Sequence, residues 1–166
     1  TGYYVSYIAG GFAGIIMDGT VTCCFATGNS FTYGWVGGFT GDLNEPTVSD
    51  CYAKGNAIST GSPGVSYAGG FTSDIGYNGK TIRCYSTGMA EGVTDGGFTS
   101  ESTSRTTDCF WDTDTSGITD PWGWEDGTGL PTSEMKEQGS FTNWNFTSPW
   151  SINETNTYPY LTVIDP

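Results

Sequence analysis

The tripeptide Gly-Gly-Phe returns four times, at Gly10-Gly11-Phe12, Gly37-Gly38-Phe39, Gly69-Gly70-Phe71 and Gly96-Gly97-Phe98, with its phenylalanines 27, 32 and 27 residues apart. A second motif, Cys followed by an aromatic, falls between them at Cys24-Phe25, Cys51-Tyr52, Cys84-Tyr85 and Cys109-Phe110, spaced 27, 33 and 25. The two alternate strictly, so each repeat has two halves. A unit this short cannot bury its own apolar face and must bury it against its neighbours.

Both halves read as β-structure. Thr20–Gly28, Thr47–Gly55 and Thr81–Gly88 are rich in β-branched and aromatic residues and end on Gly, and Tyr33–Gly41 carries a short stretch of the same kind. The spacing predicts an all-β chain, a β-solenoid of about four rungs with a period near 27 residues and two short strands per period. Stacked rungs stand about 4.8 Å apart, so equivalent residues form ladders. Paired glycines mark tight bends or the close approach of a neighbouring rung. Gly61-Ser62-Pro63-Gly64 and Gly76-Tyr77-Asn78-Gly79 read as turn insertions that lengthen the longer spacings. A two-sheet sandwich competes, but it does not require one tripeptide at one phase four times.

Composition excludes several functions. Among 166 residues there are 18 acidic, 5 basic and no His, for a formal charge of −13. Neutralising nucleic-acid phosphates needs clustered Lys and Arg, so nucleic acid is not an expected partner. The same charge opposes an anionic membrane surface, and no apolar run approaches the ~20 residues of a spanning helix. Without His, imidazole is unavailable as base, shuttle or metal ligand.

Gly-Gly-Phe-Ala-Gly (10 to 14), Gly-Gly-Phe-Thr-Gly (37 to 41), Cys-Phe-Ala-Thr-Gly (24 to 28) and Cys-Tyr-Ser-Thr-Gly (84 to 88) resemble the GLUG repeats of bacterial and archaeal surface proteins. The run from Cys109-Phe110-Trp111-Asp112 through Gly127-Thr128-Gly129-Leu130 and Glu134-Met135-Lys136 to Trp150-Ser151-Ile152 and Tyr158-Pro159-Tyr160-Leu161 is similar to the segment that closes such arrays. The likeness covers nearly the whole chain. It departs in having Phe for Leu, and in Ser73 and Ser100 where the closing Gly stands. The resemblance implies an extracellular, adhesin-like or structural role and transfers no catalytic residue. The organisation expected is a repeat array over residues 1–111 and a capping segment over 112–166.

Residues 1–18 carry only a Gly-Gly-Phe half, so the first rung offers an open edge. Three readings stand: a piece of a longer parent chain, a subunit stacking head to tail on itself, or an end covered by Tyr3, Tyr4 and Tyr7. The ladder cysteines Cys24, Cys51, Cys84 and Cys109 point the same way at a spacing wider than a disulfide takes, which favours buried thiols over bridges. The aromatic ladder Phe25, Tyr52, Tyr85 and Phe110 falls on the opposite face. Exposed, it could stack sugars; otherwise it lies buried in the core or beneath the tail.

In the tail, Asp112, Asp114, Ser116 and Asp120 have the oxygen spacing of a calcium loop, with Gly117 at its sixth position, although Gly123 stands where a bidentate Glu would be. A solvated acidic turn is the alternative. Pro131–Gly139 reads as a short helix with Thr132 as its cap. Trp111, Trp122, Trp124, Trp144 and Trp150 would seal the last rung, and Asn145 and Asn153 begin N-glycosylation sequons.

These features favour a non-enzymatic structural or adhesive surface protein. A carbohydrate-binding module using the aromatic ladder is the alternative. A solenoid lyase or glycosidase lacks clustered cations, and its nearest carboxylate pair, Asp50 and Asp108, shares a repeat position that was aligned with Thr22 and Ile82 or Arg83 in the other repeats.

Overall fold

The computed structural model describes residues 7–101, 104–118 and 127–162. The chain is all-β, and among these residues the only helical pieces are two 3-10 turns, Glu134–Lys136 and Gln138–Ser140. Each full repeat contains five short strands rather than two. The first repeat supplies β1 (Ile8–Gly10), β2 (Ala13–Ile16), β3 (Thr20–Thr22), β4 (Phe25–Ala26) and β5 (Ser30–Thr32). The second supplies β6 (Trp35–Gly37), β7 (Thr40–Leu43), β8 (Thr47–Ser49), β9 (Tyr52–Ala53) and β10 (Ala57–Ser59). The third supplies β11 (Tyr67–Gly69), β12 (Thr72–Ile75), β13 (Lys80–Ile82), β14 (Tyr85–Ser86) and β15 (Ala90–Glu91). From the fourth come β16 (Thr94–Gly96), β17 (Thr106–Thr107) and β18 (Phe110–Asp112), then β19 (Thr128–Leu130) and a hairpin of β20 (Trp150–Ser151) and β21 (Tyr160–Leu161).

The strands form separate parallel sheets, and in each the neighbours come from successive repeats: β1-β6-β11-β16, β2-β7-β12, β3-β8-β13-β17, β4-β9-β14-β18-β19 and β5-β10-β15. Among the described residues only the hairpin of β20 and β21 is antiparallel. The register is that of the motifs: Gly10 pairs with Gly37, Gly37 with Gly69, Gly69 with Gly96, and Tyr85 with both Tyr52 and Phe110. The two turn insertions are accommodated outside these strands, at turns around residues 63–65 and 77–78.

The motif phenylalanines form the spine of the core. Phe12, Phe39, Phe71 and Phe98 stack at centroid spacings of 4.7, 4.8 and 4.9 Å with nearly parallel rings. Phe39, Phe71 and Phe98 are fully buried, each contributing about 1.5–3 kcal/mol of transfer free energy. Around them lie Val36, Ala68, Leu43, Ile75, Val48 and the inward cysteines.

Close approach, not a left-handed backbone, accounts for the second Gly of the motif. A Cβ on Gly38 would meet the Gly70 carbonyl oxygen, and one on Gly70 the Gly97 carbonyl oxygen, closer than the 3.0 Å that real Cβ atoms observe. At Gly97 the obstacle changes to the indole of Trp111. Trp111 follows Ala26, Ala53 and Ser86 in the register of its sheet. Three small residues are thus succeeded by one large ring, buried in the core cluster and laid over the last Gly-Gly-Phe.

The two Ser departures have a structural role. Ser100 Oγ donates to the Ser73 carbonyl at 2.8 Å and lies 3.2 Å from Ser73 Oγ, joining consecutive repeats. Beside them Thr40, Thr72 and Thr99 are buried, and each donates its hydroxyl to the carbonyl two residues on, at 3.2, 2.9 and 2.9 Å.

Candidate functional site

The face carrying the aromatic ladder is built from β4, β9, β14 and β18. Phe25 stacks on Tyr52 at 5.0 Å and Tyr52 on Tyr85 at 5.1 Å. The tail then lies across it. Trp150 packs 6.2 Å from Tyr52 and 6.0 Å from Tyr85, Trp144 packs 5.9 Å from Phe110, and Phe141 meets Phe110 at 5.0 Å. Tyr85 donates its hydroxyl to the Pro159 carbonyl at 2.7 Å, and burial pushes that phenol well up. Tyr52, Tyr85 and Phe110 are buried, whereas Phe25, in the first repeat, is half-buried. Of the two alternatives, the ladder buried beneath the tail is the one found, and the exposed stripe that the sugar-stacking module needs is corrected: the tail has rings enough to cover it, and burying them releases water from both faces.

Alternation separates the two ladders as expected, with Cys51, Cys84 and Cys109 in the core cluster and Tyr52, Tyr85 and Phe110 in the tail cluster. All five thiols are free. Cys51, Cys84 and Cys109 are buried; Cys23 and Cys24 are half-buried. Each inward sulfur donates to a carbonyl two residues earlier, as Cys51 does to Ser49 at 3.1 Å, so the thiols serve as small core residues with a weak hydrogen bond. Burial raises the Cys84 thiol pKa well above its ordinary value.

Immediately before each ladder cysteine the backbone is left-handed: Cys23, Asp50, Arg83 and Asp108 have φ of 53, 53, 51 and 52°. This corrects the alignment of Asp50 and Asp108, whose partners are Cys23 and Arg83. Asp suits that conformation; Cys and Arg adopt it at a cost of about 1–2 kcal/mol. The bend aims the side chains at the tail. Asp50 accepts Arg83 Nε at 2.8 Å, Arg83 NH2 at 2.7 Å and Trp150 Nε1 at 3.0 Å. Asp108 accepts Asn143 Nδ2 at 3.1 and 3.2 Å, and its carbonyl accepts Trp144 Nε1 at 2.8 Å. The carboxylates thus anchor the tail.

Asp112 is fully buried. Its carboxylate accepts Asp114 N at 2.8 Å, Thr132 Oγ1 at 2.7 Å and Tyr158 OH at 2.6 Å. Asp114 accepts Thr132 N at 2.9 Å, and Ser116 Oγ accepts Ile118 N at 3.2 Å. Burial, followed by the bond to Asp112, pushes the Tyr158 phenol up to about 12. Both oxygens of Asp112, one of Asp114 and the Ser116 hydroxyl are thus engaged in hydrogen bonds within the chain. Asp120 lies outside the described residues, as do Trp122, Trp124, Tyr3 and Tyr4. Among the described residues no group of three or more Cys, Asp or Glu is placed to hold a metal ion. The helix expected over Pro131–Gly139 is instead the two 3-10 turns, and Thr132 does not cap it because its hydroxyl is committed to Asp112.

Asn145 and Asn153 are both exposed. Asn145 Oδ1 accepts Thr147 N at 2.9 Å and Asn153 Oδ1 accepts Asn156 Nδ2 at 3.2 Å.

Three further features stand outside the ladders and the tail. Asp42 pairs in register with Asp74, and Glu101 follows Asp74 by the same phase, giving a half-buried column of carboxylates three residues after Phe39, Phe71 and Phe98. Burial raises all three carboxyl pKa values, and Asp74 raises those of Asp42 and Glu101 further. A groove of about 500 Å³ lies among Tyr77, Asn78, Lys80, Ser104, Arg105 and Thr107. Its Tyr77 is 83% exposed, with the Arg105 guanidinium 5.6 Å from the ring centre. Finally, the exposed large apolar residues concentrate in the first repeat: Tyr7, Phe12, Ile15, Met17, Phe31 and Tyr33. There, among the described residues, the outer edges of β1 to β5 have no strand beside them.

Comparison with protein-family models, curated proteins and solved structures finds no match to this chain.

Proposed function

We propose that the chain is a non-enzymatic structural or adhesive module of an extracellular surface, built as a β-solenoid of stacked rungs. The observation that carries this reading is the ladder register. Phe on Phe, Tyr on Tyr, Ser on Ser and Thr on Thr recur from rung to rung, so side chains are spent on holding neighbouring rungs together. The buried Asp50 and Asp112 and the half-buried Asp108 fasten the tail along one side, and Arg83 braces Asp50. The GLUG-like motifs and the two exposed sequon asparagines agree with an extracellular setting. Antibody labelling of intact producing cells tests this. Labelling without permeabilisation is expected; labelling confined to permeabilised cells overturns the surface role.

A second reading rests on the Tyr77 groove rather than on the covered ladder. An exposed ring beside Lys80 and Arg105, with Asn78, Ser104 and Thr107 around them, suits a carboxylate-bearing sugar. Calorimetric titration with a uronic-acid oligosaccharide should show binding that weakens with salt and is absent for a neutral oligosaccharide; silence with both retires the reading.

A further inference from the structure

The column Gly28, Gly55 and Gly88 closes the aromatic strand of three successive rungs, and none of these glycines has positive φ. At two of them glycine is demanded by the rung before. A Cβ on Gly55 would collide with the Gly28 carbonyl, and one on Gly88 with the Gly55 carbonyl. At Gly28 a Cβ would meet nothing within 4 Å among the described residues. Its glycine therefore keeps open a space that nothing described in the chain fills. Phe12 repeats the pattern. One face lies on Phe39 at 4.7 Å, yet Phe12 is 47% exposed while the three rings below it are buried.

We propose that the first rung is a docking surface for one further rung of the same kind, set in parallel on β1 to β5, with a backbone carbonyl seated over Gly28 and an aromatic ring stacked on Phe12. The occupant is an uncapped Gly-Gly-Phe rung and not the far end of a second copy. At that far end the equivalent of Gly28 is Thr113, whose N–H already donates to the Leu130 carbonyl of β19 at 2.9 Å. Gly97 there is roofed by the Trp111 indole. The last rung also carries Glu91, Asp95 and Glu101 at or near its edge strands, charges of the kind that discourage strand addition. This inference rests on the stacked-rung reading and names what that stack receives.

The experiment is a tandem duplication of Ile8–Gly34 within the full chain, which supplies such a rung in register, examined with and without alanine at the inner Gly28. Duplication is expected to raise the melting temperature. Gly28→Ala is expected to leave the undivided natural chain within about 2 °C of its starting value but to cancel the gain in the duplicated chain. Gly55→Ala serves as the comparison and should lower the melting temperature of the natural chain markedly. The proposal is overturned if Gly28→Ala harms the natural chain as much as Gly55→Ala does, or if duplication with Gly28 intact gives no gain. It is overturned equally if sedimentation shows the natural chain growing into head-to-tail polymers. Failure of the surface-labelling test leaves these outcomes untouched, so the two ideas fail separately.

Discussion

The Arg83 guanidinium grips the Asp50 carboxylate of the preceding repeat with two hydrogen bonds, Nε to Oδ1 at 2.8 Å and NH2 to Oδ2 at 2.7 Å. Trp150 Nε1 reaches the same Oδ1 at 3.0 Å across 100 residues of chain. One carboxylate thereby joins two repeats and the tail.

Asp50→Ala removes the acceptor from a buried indole N–H and from Arg83 together, and should cost about 2–3 kcal/mol in urea unfolding. Arg83→Ala should cost less, about 1–2 kcal/mol, because Arg83 is about a third exposed and water screens the pair. If Asp50 acts by pinning the tail, Asp50→Ala will also speed proteolysis between residues 140 and 160 while the repeats stay protected. Equal protection of the tail in variant and parent contradicts that role.

The column Asp42, Asp74 and Glu101 sets a pH dependence. Their folded-state pKa values are raised by burial first; the Asp74 charge raises Asp42 and Glu101 further, whereas Asp74 itself is raised by burial against the lowering effect of the Ile75 N–H and the Arg105 guanidinium. The fold therefore favours the protonated forms, and these groups oppose folding at pH above the raised values. As pH falls through those values towards the ordinary carboxylate range near 4, that penalty is relieved. Asp74→Asn, at the middle of the column, should stabilise the protein at pH 7 by about 0.5–1 kcal/mol and flatten the relief the parent shows as pH falls from 7 towards 4. An Asp74→Asn variant less stable than its parent at pH 7, with the pH profile unchanged, refutes like-charge repulsion as the cause.

Much of the architecture was legible because the motifs are ladders. The recurrence of Phe12, Phe39, Phe71 and Phe98 in one tripeptide means equal position in a stack even where a turn insertion stretches the spacing from 27 to 32, and strand alternation separated Cys51 from Tyr52. What spacing could not convey was which ladder a non-repeating segment would cover, since the hold of Trp144 and Trp150 on Asp108 and Asp50 spans sequence with no period. The five strands per repeat were obscured because each is two to four residues long, too short for alternation to register. The left-handed residue before each cysteine carries no common residue type, so only the shared phase of Cys23, Asp50, Arg83 and Asp108 could have revealed it. The acidic column was findable by stepping three residues beyond each motif Phe, where Ile15 breaks the chemical pattern in the first repeat.

The cysteine ladder makes a direct prediction for thiol labelling. In the native protein Cys23 and Cys24, half-buried in the first repeat, should react first, and Cys51, Cys84 and Cys109 only on unfolding. Reactivity needs a thiolate that the reagent can reach, and burial denies that access. Mass spectrometry after brief alkylation should therefore find at most two labels on the native chain and five after denaturation. Labelling of Cys84 at a rate matching Cys23 would show that the core opens readily or that the ladder faces outward.

Trp111 ends a run of small residues, Ala26, Ala53 and Ser86, and its indole fills the volume over Gly97. Trp111→Ala should cost about 3–5 kcal/mol through lost burial and the cavity left behind. Gly97→Ala should be costly alone, because its Cβ would enter the indole. In the Trp111→Ala background that obstacle is gone, so the second substitution should add far less than it costs by itself. The resulting coupling energy, expected at about 1–3 kcal/mol, separates a specific lid from generic hydrophobic loss. Additive costs in this double-mutant cycle would mean that Trp111 is only one more buried ring and that closure of the stack lies elsewhere in the tail.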